Sequence, residues 1–225
     1  MLPPFDTILF DFDGTLAVLN LDFAAMRRQL LALTLSYGLP AAALQELYML
    51  EMIAYASAWL HRDRPTAATA YNREAEQLLQ SIEIEAAQRS GLLPGVEELL
   101  RTLQQHNIAV GIVTRNCNAA VRTLFPRIDV YCQAFLARDH VTQVKPHPAH
   151  LQAALARLGR VPARTLMVGD GTMDIQAGKT LQIFSIGVLS GSGTRTSLLQ
   201  HGADLVLDSA TDLLHYLPSG KGNTV

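Results

Sequence analysis

The chain has 225 residues, of which 49% are hydrophobic and 17% charged, and its formal net charge is −2. This balance excludes a disordered chain, because disorder accompanies low hydrophobicity and high net charge. It also gives no sign of the basic patch or stripe that nucleic-acid binding usually requires. The length suits one large domain or a domain that carries a smaller insert.

The cysteines and the lengths of the apolar runs indicate in which cellular compartment the protein is expected. Cys117 and Cys132 form no CxxC pair, so metal and redox sites built on cysteine are disfavoured. The N-terminal stretch lacks the basic start and long apolar core of a signal peptide, and no uncharged apolar run reaches the ~18 residues of a membrane span. We therefore expect a cytoplasmic protein with no membrane partner. A monomer and a homodimer both remain open.

Short apolar runs alternate with helical segments along most of the chain. Such runs are typical of parallel strands that are buried on both faces. The predicted strands are 5–10, 109–114, 165–170, 184–189 and 204–207, with a weaker one at 130–135. The segments 94–103 and 147–159 are predicted helices, and their alternation with strands indicates βαβ units in a parallel sheet.

The stretch 20–90 differs, because it contains no convincing strand. It predicts helices over 22–37, 41–60 and 66–90, which is too long for a simple crossover connection. We therefore expect an α/β fold with a three-layer, Rossmann-like core and an inserted all-α domain. The predicted bounds are 1–19 and 91–225 for the core and 20–90 for the insert.

The strongest chemical signal directly follows the first strand. Asp11 and Asp13 are two residues apart and leave an apolar strand at its carboxyl end, where ligands bind in open parallel sheets. Gly14 allows the main chain to turn sharply. Two crowded carboxylates repel each other and favour a cation or a shared proton. The alternative is a strand that ends in a solvated turn.

Three further segments lie at later strand ends or just before helices. Taken alone, each has an ordinary structural explanation, such as a surface lysine or a helix N-cap. Together with the aspartates they supply carboxylates, a cation and hydroxyl or N–H donors, the set that binds Mg²⁺ beside a phosphoryl group. The three segments are Thr114-Arg115-Asn116, Val144-Lys145-Pro146 and Gly169-Asp170-Gly171-Thr172-Met173-Asp174.

These segments resemble, in order, the motifs of the haloacid dehalogenase superfamily of phosphohydrolases. That pattern is DxDGT, a strand-end Thr or Ser, a Lys and GDxxxD, and the chain has DFDGTL, VTRN, VKPHP and GDGTMD. The resemblance covers 5–19 and 91–217. The helical insert resembles the type 1 cap of the superfamily. Gly187-Val188 and Gly202-Ala203-Asp204 resemble its phosphoglycolate-phosphatase-like branch.

The resemblance implies a role for each matching residue. Asp11 becomes the nucleophile that forms an aspartyl-phosphate, and Asp13 acts as general acid and then as general base. Lys145 neutralises charge on Asp11 and on the phosphoryl group. The implied phosphate-binding residues are Phe12, Gly14, Thr114, Arg115, Asn116 and Lys145. The implied Mg²⁺ ligands are Asp11, Asp13 through its carbonyl, and Asp170, with Asp174 orienting Lys145.

The implied function is a Mg²⁺-dependent phosphatase that hydrolyses phosphate monoesters of small metabolites, such as phosphoglycolate-like compounds or sugar phosphates. Asp13 separates the chain from dehalogenases and phosphonoacetaldehyde hydrolases, which resemble it at the nucleophile but lack this second carboxylate. The insert also contains no lysine for phosphonate chemistry. Two alternatives remain: a phosphomutase of the β-phosphoglucomutase type, and a regulatory or binding protein with little turnover.

The basic residues of the insert are candidates for binding an anionic group of the substrate, although the polar face of amphipathic helices is the favoured interpretation. They are Arg27, Arg28, His61, Arg62 and Arg64. Surface positions are expected for His147 and His150, which follow Lys145.

Overall fold

The structure is a computed structural model that describes residues 2–18 and 20–217. The chain divides into two compact units. The first, which we call the core unit, comprises Met1–Leu19 and Ser90–Val225, and the second, the helical unit, comprises Asn20–Arg89. The last part of the predicted core segment, residues 218–225, lies outside the described residues.

The core unit contains a six-stranded, wholly parallel sheet. Its strands are β1 (Thr7–Phe10), β4 (Ala109–Val113), β5 (Ala134–Leu136), β6 (Thr165–Gly169), β7 (Phe184–Val188) and β8 (Leu205–Leu207). Their order in the sheet is β5-β4-β1-β6-β7-β8. The chain moves outward from β1 to β4 and β5, then returns to β6 on the other side of β1. This change of direction places the topological switch point beside the central strand.

Successive side chains of β1 are buried on opposite faces of the sheet. Ile8 and Phe10 pack into one apolar layer, whereas Leu9 packs into the layer on the other side. The period of two along a strand produces this division. The helices of the core unit are α4 (Val96–Gln105), α5 (Asn118–Leu124), α6 (Ile128–Tyr131), α7 (Ala149–Leu158), α8 (Thr172–Thr180) and α9 (Arg195–Gln200). The predicted α/β class is confirmed.

A second, small sheet lies at the two points where the core unit adjoins the insert in sequence. Strand β2 (Ala17–Val18) pairs antiparallel with β3 (Gly91–Leu92). The Leu93 amide also donates to the Leu16 carbonyl at 2.9 Å. The segments that precede and follow the insert are thereby tied together within the core unit.

The helical unit has its own apolar core, which includes buried Leu30, Met52 and Tyr71. The Tyr71 hydroxyl lies 2.8 Å from that of Thr34 and satisfies its polar group inside this core. The elements are α1 (Phe23–Ser36), a 3₁₀ helix (Ala41–Leu44), α2 (Met49–Asp63) and α3 (Pro65–Ala87). The single helix predicted over 41–60 is therefore wrong, because the chain turns between the 3₁₀ helix and α2.

The weaker strand predicted over 130–135 is also displaced. The chain forms the short helix α6 up to Tyr131 and enters β5 only at Ala134. The inner residues Ile128 and Tyr131 are buried at helical spacing, which the apolar sequence alone does not distinguish from a strand. Among the described residues, no helix is both long enough and apolar enough to cross a membrane.

Candidate active site

The carboxyl ends of three adjacent strands bring the sequence motifs together. Asp11 follows β1, Thr114 follows β4, and Asp170 follows β6, and β1 lies between the other two strands. The Asp11 amide donates to the Val168 carbonyl at 2.8 Å, which continues the ladder to the end of the strand. The parallel sheet thus gathers residues from distant parts of the chain at one edge.

Lys145 joins the end of β1 to the first turn of α8 through two buried ion pairs. Its Nζ lies 2.6 Å from Asp11 Oδ1 and 2.6 Å from Asp174 Oδ1. The lysine is only 1% exposed, and it precedes Pro146 through a cis peptide bond. Asp174 also caps helix α8, since its Oδ2 accepts from the Gly171 amide at 3.0 Å. Asp174 is therefore both part of a helix cap and the ion-pair partner of Lys145.

Burial and mutual repulsion shape the protonation of this cluster. Burial raises the pKa of Asp11 to about 7, against the lowering effect of Lys145, and Asp170 and Asp13 add to the rise. Burial likewise raises the pKa of Asp174 to about 6. Burial alone lowers the pKa of Lys145, but the charges of Asp11 and Asp174 outweigh it and the net direction is upward. The lysine stays charged while the carboxylates resist full ionisation.

The donor set fits a divalent cation. Asp11, Asp170 and Asp174 each offer a carboxylate oxygen, and these oxygens all lie within 4.8 Å of one another. Three carboxylates face one ammonium, so full ionisation leaves two negative charges uncompensated in a buried place, which is costly. Oxygen ligands of this kind suit Mg²⁺. The pKa of Asp170 is also raised, by burial first and by Asp174 second, which is consistent with this excess of negative charge.

Asp13 is held apart from that cluster. Its Oδ2 accepts from the Thr114 hydroxyl at 2.9 Å, and its Oδ1 accepts from the side-chain Nδ2 of Asn116 at 3.1 Å. Asn116 is buried, and its own Oδ1 accepts from the Cys117 amide at 2.8 Å. Two side-chain donors thus fix the plane of the Asp13 carboxylate. The side chain of Asn116 is thus directed to the Asp13 carboxylate, and phosphate binding at this position stays a prediction.

A tight turn follows Asp11. Phe12 contributes its side chain to the apolar core, and its carbonyl accepts the amides of residues 15–17. Gly14 has a φ of +78°, and a Cβ on it would lie 2.7 Å from Asp170 Oδ2. Only glycine satisfies both the left-handed backbone and this close approach. Thr15 connects the two strand ends, because its hydroxyl accepts from the Asp170 amide at 3.0 Å.

The loop of Lys145 is anchored by residues whose functions the motifs did not specify. The guanidinium of Arg115 donates to the Lys145 carbonyl. His150, predicted to lie on the surface, is fully buried: its Nδ1 accepts from the Lys145 amide at 3.3 Å and its Nε2 faces the Leu136 carbonyl at 3.2 Å. Burial lowers the pKa of His150 to about 3, with Lys145 as the next cause. The surface prediction therefore holds for His147 but is wrong for His150, whose position at the start of α7 faces inward.

Within the helical unit, two candidate arginines stabilise the main chain. Arg27 donates to the carbonyls of Leu44 and Gln45 at 2.9 and 2.7 Å, and also to that of Leu47. Arg64 donates to the Tyr37 carbonyl at 2.9 Å. The guanidinium of Arg64 also lies 5.3 Å from the centroid of the Trp59 ring. Arg28, His61 and Arg62 are exposed.

Comparison with known proteins gives a consistent result. Residues 8–188 match the family described as haloacid dehalogenase-like hydrolase. The chain is similar to a phosphoglycolate phosphatase of Photorhabdus laumondii, with 30% identity over 95% of this chain and 94% of that protein. It is 33% identical to a phosphoglycolate phosphatase of Salmonella typhimurium over 55% of this chain, and that match spans only 50% of the relative.

Solved structures extend the likeness to the fold. A hydrolase from Pseudomonas syringae has a TM-score of 0.64 and 23% identity, over 94% of this chain and 97% of that chain. CbbY from Rhodobacter sphaeroides in complex with phosphate has a TM-score of 0.61 and 22% identity, over 93% of this chain and 96% of that chain. At these identities the similarity establishes the shared architecture of the α/β fold.

Proposed function

Because the chain belongs to the haloacid dehalogenase-like hydrolase family, we propose that it is a Mg²⁺-dependent phosphatase that hydrolyses monoesters of small metabolites. One observation carries this proposal: Lys145 Nζ contacts both Asp11 and Asp174 at 2.6 Å, inside a buried group of three carboxylates at the end of the central strand. Asp13 adds a separately held carboxylate beside it. We assign the role of nucleophile to Asp11, that of acid–base group to Asp13 and that of charge balance to Lys145.

The proposed reaction has two steps. A carboxylate oxygen of Asp11 attacks the phosphorus atom and the bond to the leaving oxygen breaks, while Asp13 gives its proton to that oxygen. Asp13 then removes a proton from water, which attacks the aspartyl-phosphate, releases phosphate and restores Asp11. Thr114 and Asn116 hold the Asp13 carboxylate in one orientation for both proton transfers.

The cation site is assigned to Asp11 and Asp170, with the main-chain carbonyl of Asp13. Asp174 stays paired with Lys145 and thereby keeps the ammonium against Asp11. Bound Mg²⁺ supplies positive charge that offsets the negative charge on the phosphoryl oxygens during transfer. Lys145 adds a second, fixed positive charge, and burial strengthens both effects because water screens them less.

The substrate is proposed to be a small phosphate monoester, either phosphoglycolate-like or a sugar phosphate. The similarity to a phosphoglycolate phosphatase that spans nearly the whole chain supports the first of these. The helical unit is proposed to act as the cap that selects among such substrates. Its exposed basic residues Arg28, His61 and Arg62 are the candidates for contact with an anionic group.

The test compares wild type with Asp11→Asn on an aryl phosphate and on a panel of small phosphate esters, with and without Mg²⁺. We expect Mg²⁺-dependent release of phosphate by the wild type and a loss of at least about 1,000-fold in kcat for Asp11→Asn, because the amide is a poor nucleophile. Asp129→Asn is the matched control. Asp129 is an exposed aspartate of the core unit paired with Arg122, and its replacement should leave kcat unchanged.

Three results would overturn the proposal. Undiminished turnover by Asp11→Asn would show that Asp11 is not the nucleophile. The absence of turnover by the wild type across the panel would favour a regulatory or binding protein. Conversion of a sugar phosphate to its isomer without release of phosphate would favour the phosphomutase.

A further inference from the structure

We propose that the loop 190–193 is a positioning element for the cation site, and that Ser192 fixes the carboxylate of Asp170 for metal binding. The loop follows β7, and its sequence Ser-Gly-Ser-Gly belongs to none of the four motifs. Strand β7 pairs with β6, so the carboxyl ends of both strands lie at the same edge of the sheet. The proposal rests on the proposed function, since it concerns the same site.

Ser192 donates twice to one oxygen of Asp170. Its amide lies 2.7 Å and its hydroxyl 3.1 Å from Asp170 Oδ2. Both hydrogen bonds oppose the upward shift that burial imposes on the pKa of Asp170. Because both donors act on Oδ2, they restrict the rotation of the carboxylate, and in our proposal this orients it for the cation.

The glycines of the loop allow it to lie against Asp170. A Cβ on Gly191 would lie 2.1 Å from Asp170 Oδ2, and a Cβ on Gly193 would lie 2.0 Å from the Asp170 carbonyl. Gly14 approaches the same Oδ2 from the turn after β1. Glycine main chain therefore surrounds the carboxylate closely, and a side chain at these positions would displace the proposed ligand.

The loop also contacts the turn that carries Asp13. The Ser190 hydroxyl donates to the Gly14 carbonyl at 2.7 Å. Through Ser190 and Ser192 the loop thus holds both Asp170 and the main chain next to Asp13, which together form much of the proposed cation site. Replacing a group that orients a metal ligand typically lowers metal affinity or activity by about 10- to 100-fold.

The first test is a Mg²⁺ titration of the purified protein by calorimetry, with Ser192→Ala and Ser192→Thr. Ser192→Ala keeps the amide donor but loses the hydroxyl, and we expect its Kd for Mg²⁺ to rise about tenfold. Ser192→Thr keeps the hydroxyl and should restore the wild-type Kd. In turnover assays the Mg²⁺ concentration for half-activation should rise in parallel for Ser192→Ala, while kcat at saturating Mg²⁺ changes little.

The second test uses matched glycines. Gly191→Ala places a methyl group on Asp170 Oδ2, and we expect the Kd for Mg²⁺ to rise about 100-fold. Gly91→Ala is the control, because nothing lies within 4 Å of a Cβ at that exposed position of β3. Its Kd should equal that of the wild type. If Gly191→Ala fails to fold, the comparison of Ser192→Ala with Ser192→Thr tests the proposal.

The outcomes separate this inference from the proposed function. Equal Kd values for wild type and Ser192→Ala, with Mg²⁺-dependent hydrolysis intact, overturn only the role of the loop. A lower melting temperature with an unchanged Kd also overturns it, because that is the signature of a merely structural residue. A wild type that binds no Mg²⁺ overturns both proposals.

Discussion

The two units use charged side chains in different ways. In the core unit, Lys145 lies between the buried carboxylates of Asp11 and Asp174, so that charged groups contact one another away from water. In the helical unit, Arg27 and Arg64 donate to main-chain carbonyls at the ends of the 3₁₀ helix and of α1. The first arrangement costs desolvation and is suited to chemistry, whereas the second satisfies orphan carbonyls and is suited to folding.

This contrast explains why the motifs were informative in one unit only. In the core unit, parallel strand ends converge, so residues after β1, β4 and β6 meet whatever their separation in sequence. In the helical unit, no such rule relates an arginine to a site. A basic residue on a helix is more often explained by a nearby carbonyl or by solvent.

We expect Lys145→Met to have the largest effect. A small effect would contradict the contrast between the two units. We expect kcat on an aryl phosphate to fall about 100- to 1,000-fold, since the substitution removes a fixed charge from the site. The free energy of unfolding in urea, measured without Mg²⁺ at pH 8, should fall by about 3 kcal/mol, because two buried carboxylates lose their partner. This loss should be smaller at pH 5, where Asp11 and Asp174 are protonated more readily.

Lys179→Met is the matched control for that experiment. Lys179 pairs with Asp204 at 2.9 Å, but 42% of its side chain is exposed. Exposed pairs of this kind contribute about 1 kcal/mol or less. Similar losses for the two variants would show that the buried pairs of Lys145 are no more important than a surface ion pair.

His150→Gln tests the buried groups of the core unit through the pH dependence of the free energy of unfolding. The folded pKa of His150 is about 3, well below the ordinary 6.5, so its contribution to stability is full above pH 6.5 and is lost as the pH falls toward 3. Between pH 6.5 and pH 5, the free energy of unfolding of the wild type, measured in urea, should therefore fall by roughly 2 kcal/mol more than that of the variant. Parallel stability curves for the two proteins would contradict a neutral, buried His150.

Arg27→Ala should have the smallest effect of the three and tests the helical unit. We expect a loss of about 1.5 kcal/mol in the free energy of unfolding, because three carbonyls lose a charged donor. The kcat/KM for the aryl phosphate should stay unchanged. Arg28→Ala, the exposed neighbour, should change stability by less than about 0.5 kcal/mol. A fall in kcat/KM for Arg27→Ala at unchanged stability would make Arg27 a substrate-binding residue instead.

Several site residues could be found from the sequence, and others could not. Asp11, Thr114 and Asp170 stand at strand ends that apolar runs reveal, so their convergence follows from the parallel sheet. His150 and Ser192 carry no such signal. One is a histidine near the start of a helix and the other lies in a loop of small residues, and their contacts depend on how neighbouring segments fold back on the site.

The sequence by itself determined the family, the alternation of strands and helices, and the motifs that meet at the end of the central strand. These features are local or follow from general rules of parallel sheets. Only the tertiary structure decided that the side chain of Asn116 donates to Asp13, that Asp174 is both a helix cap and a partner of Lys145, and that Ser192 donates to Asp170. The reason is that a hydrogen bond depends on distances of a few tenths of an ångström, which spacing along a chain does not specify.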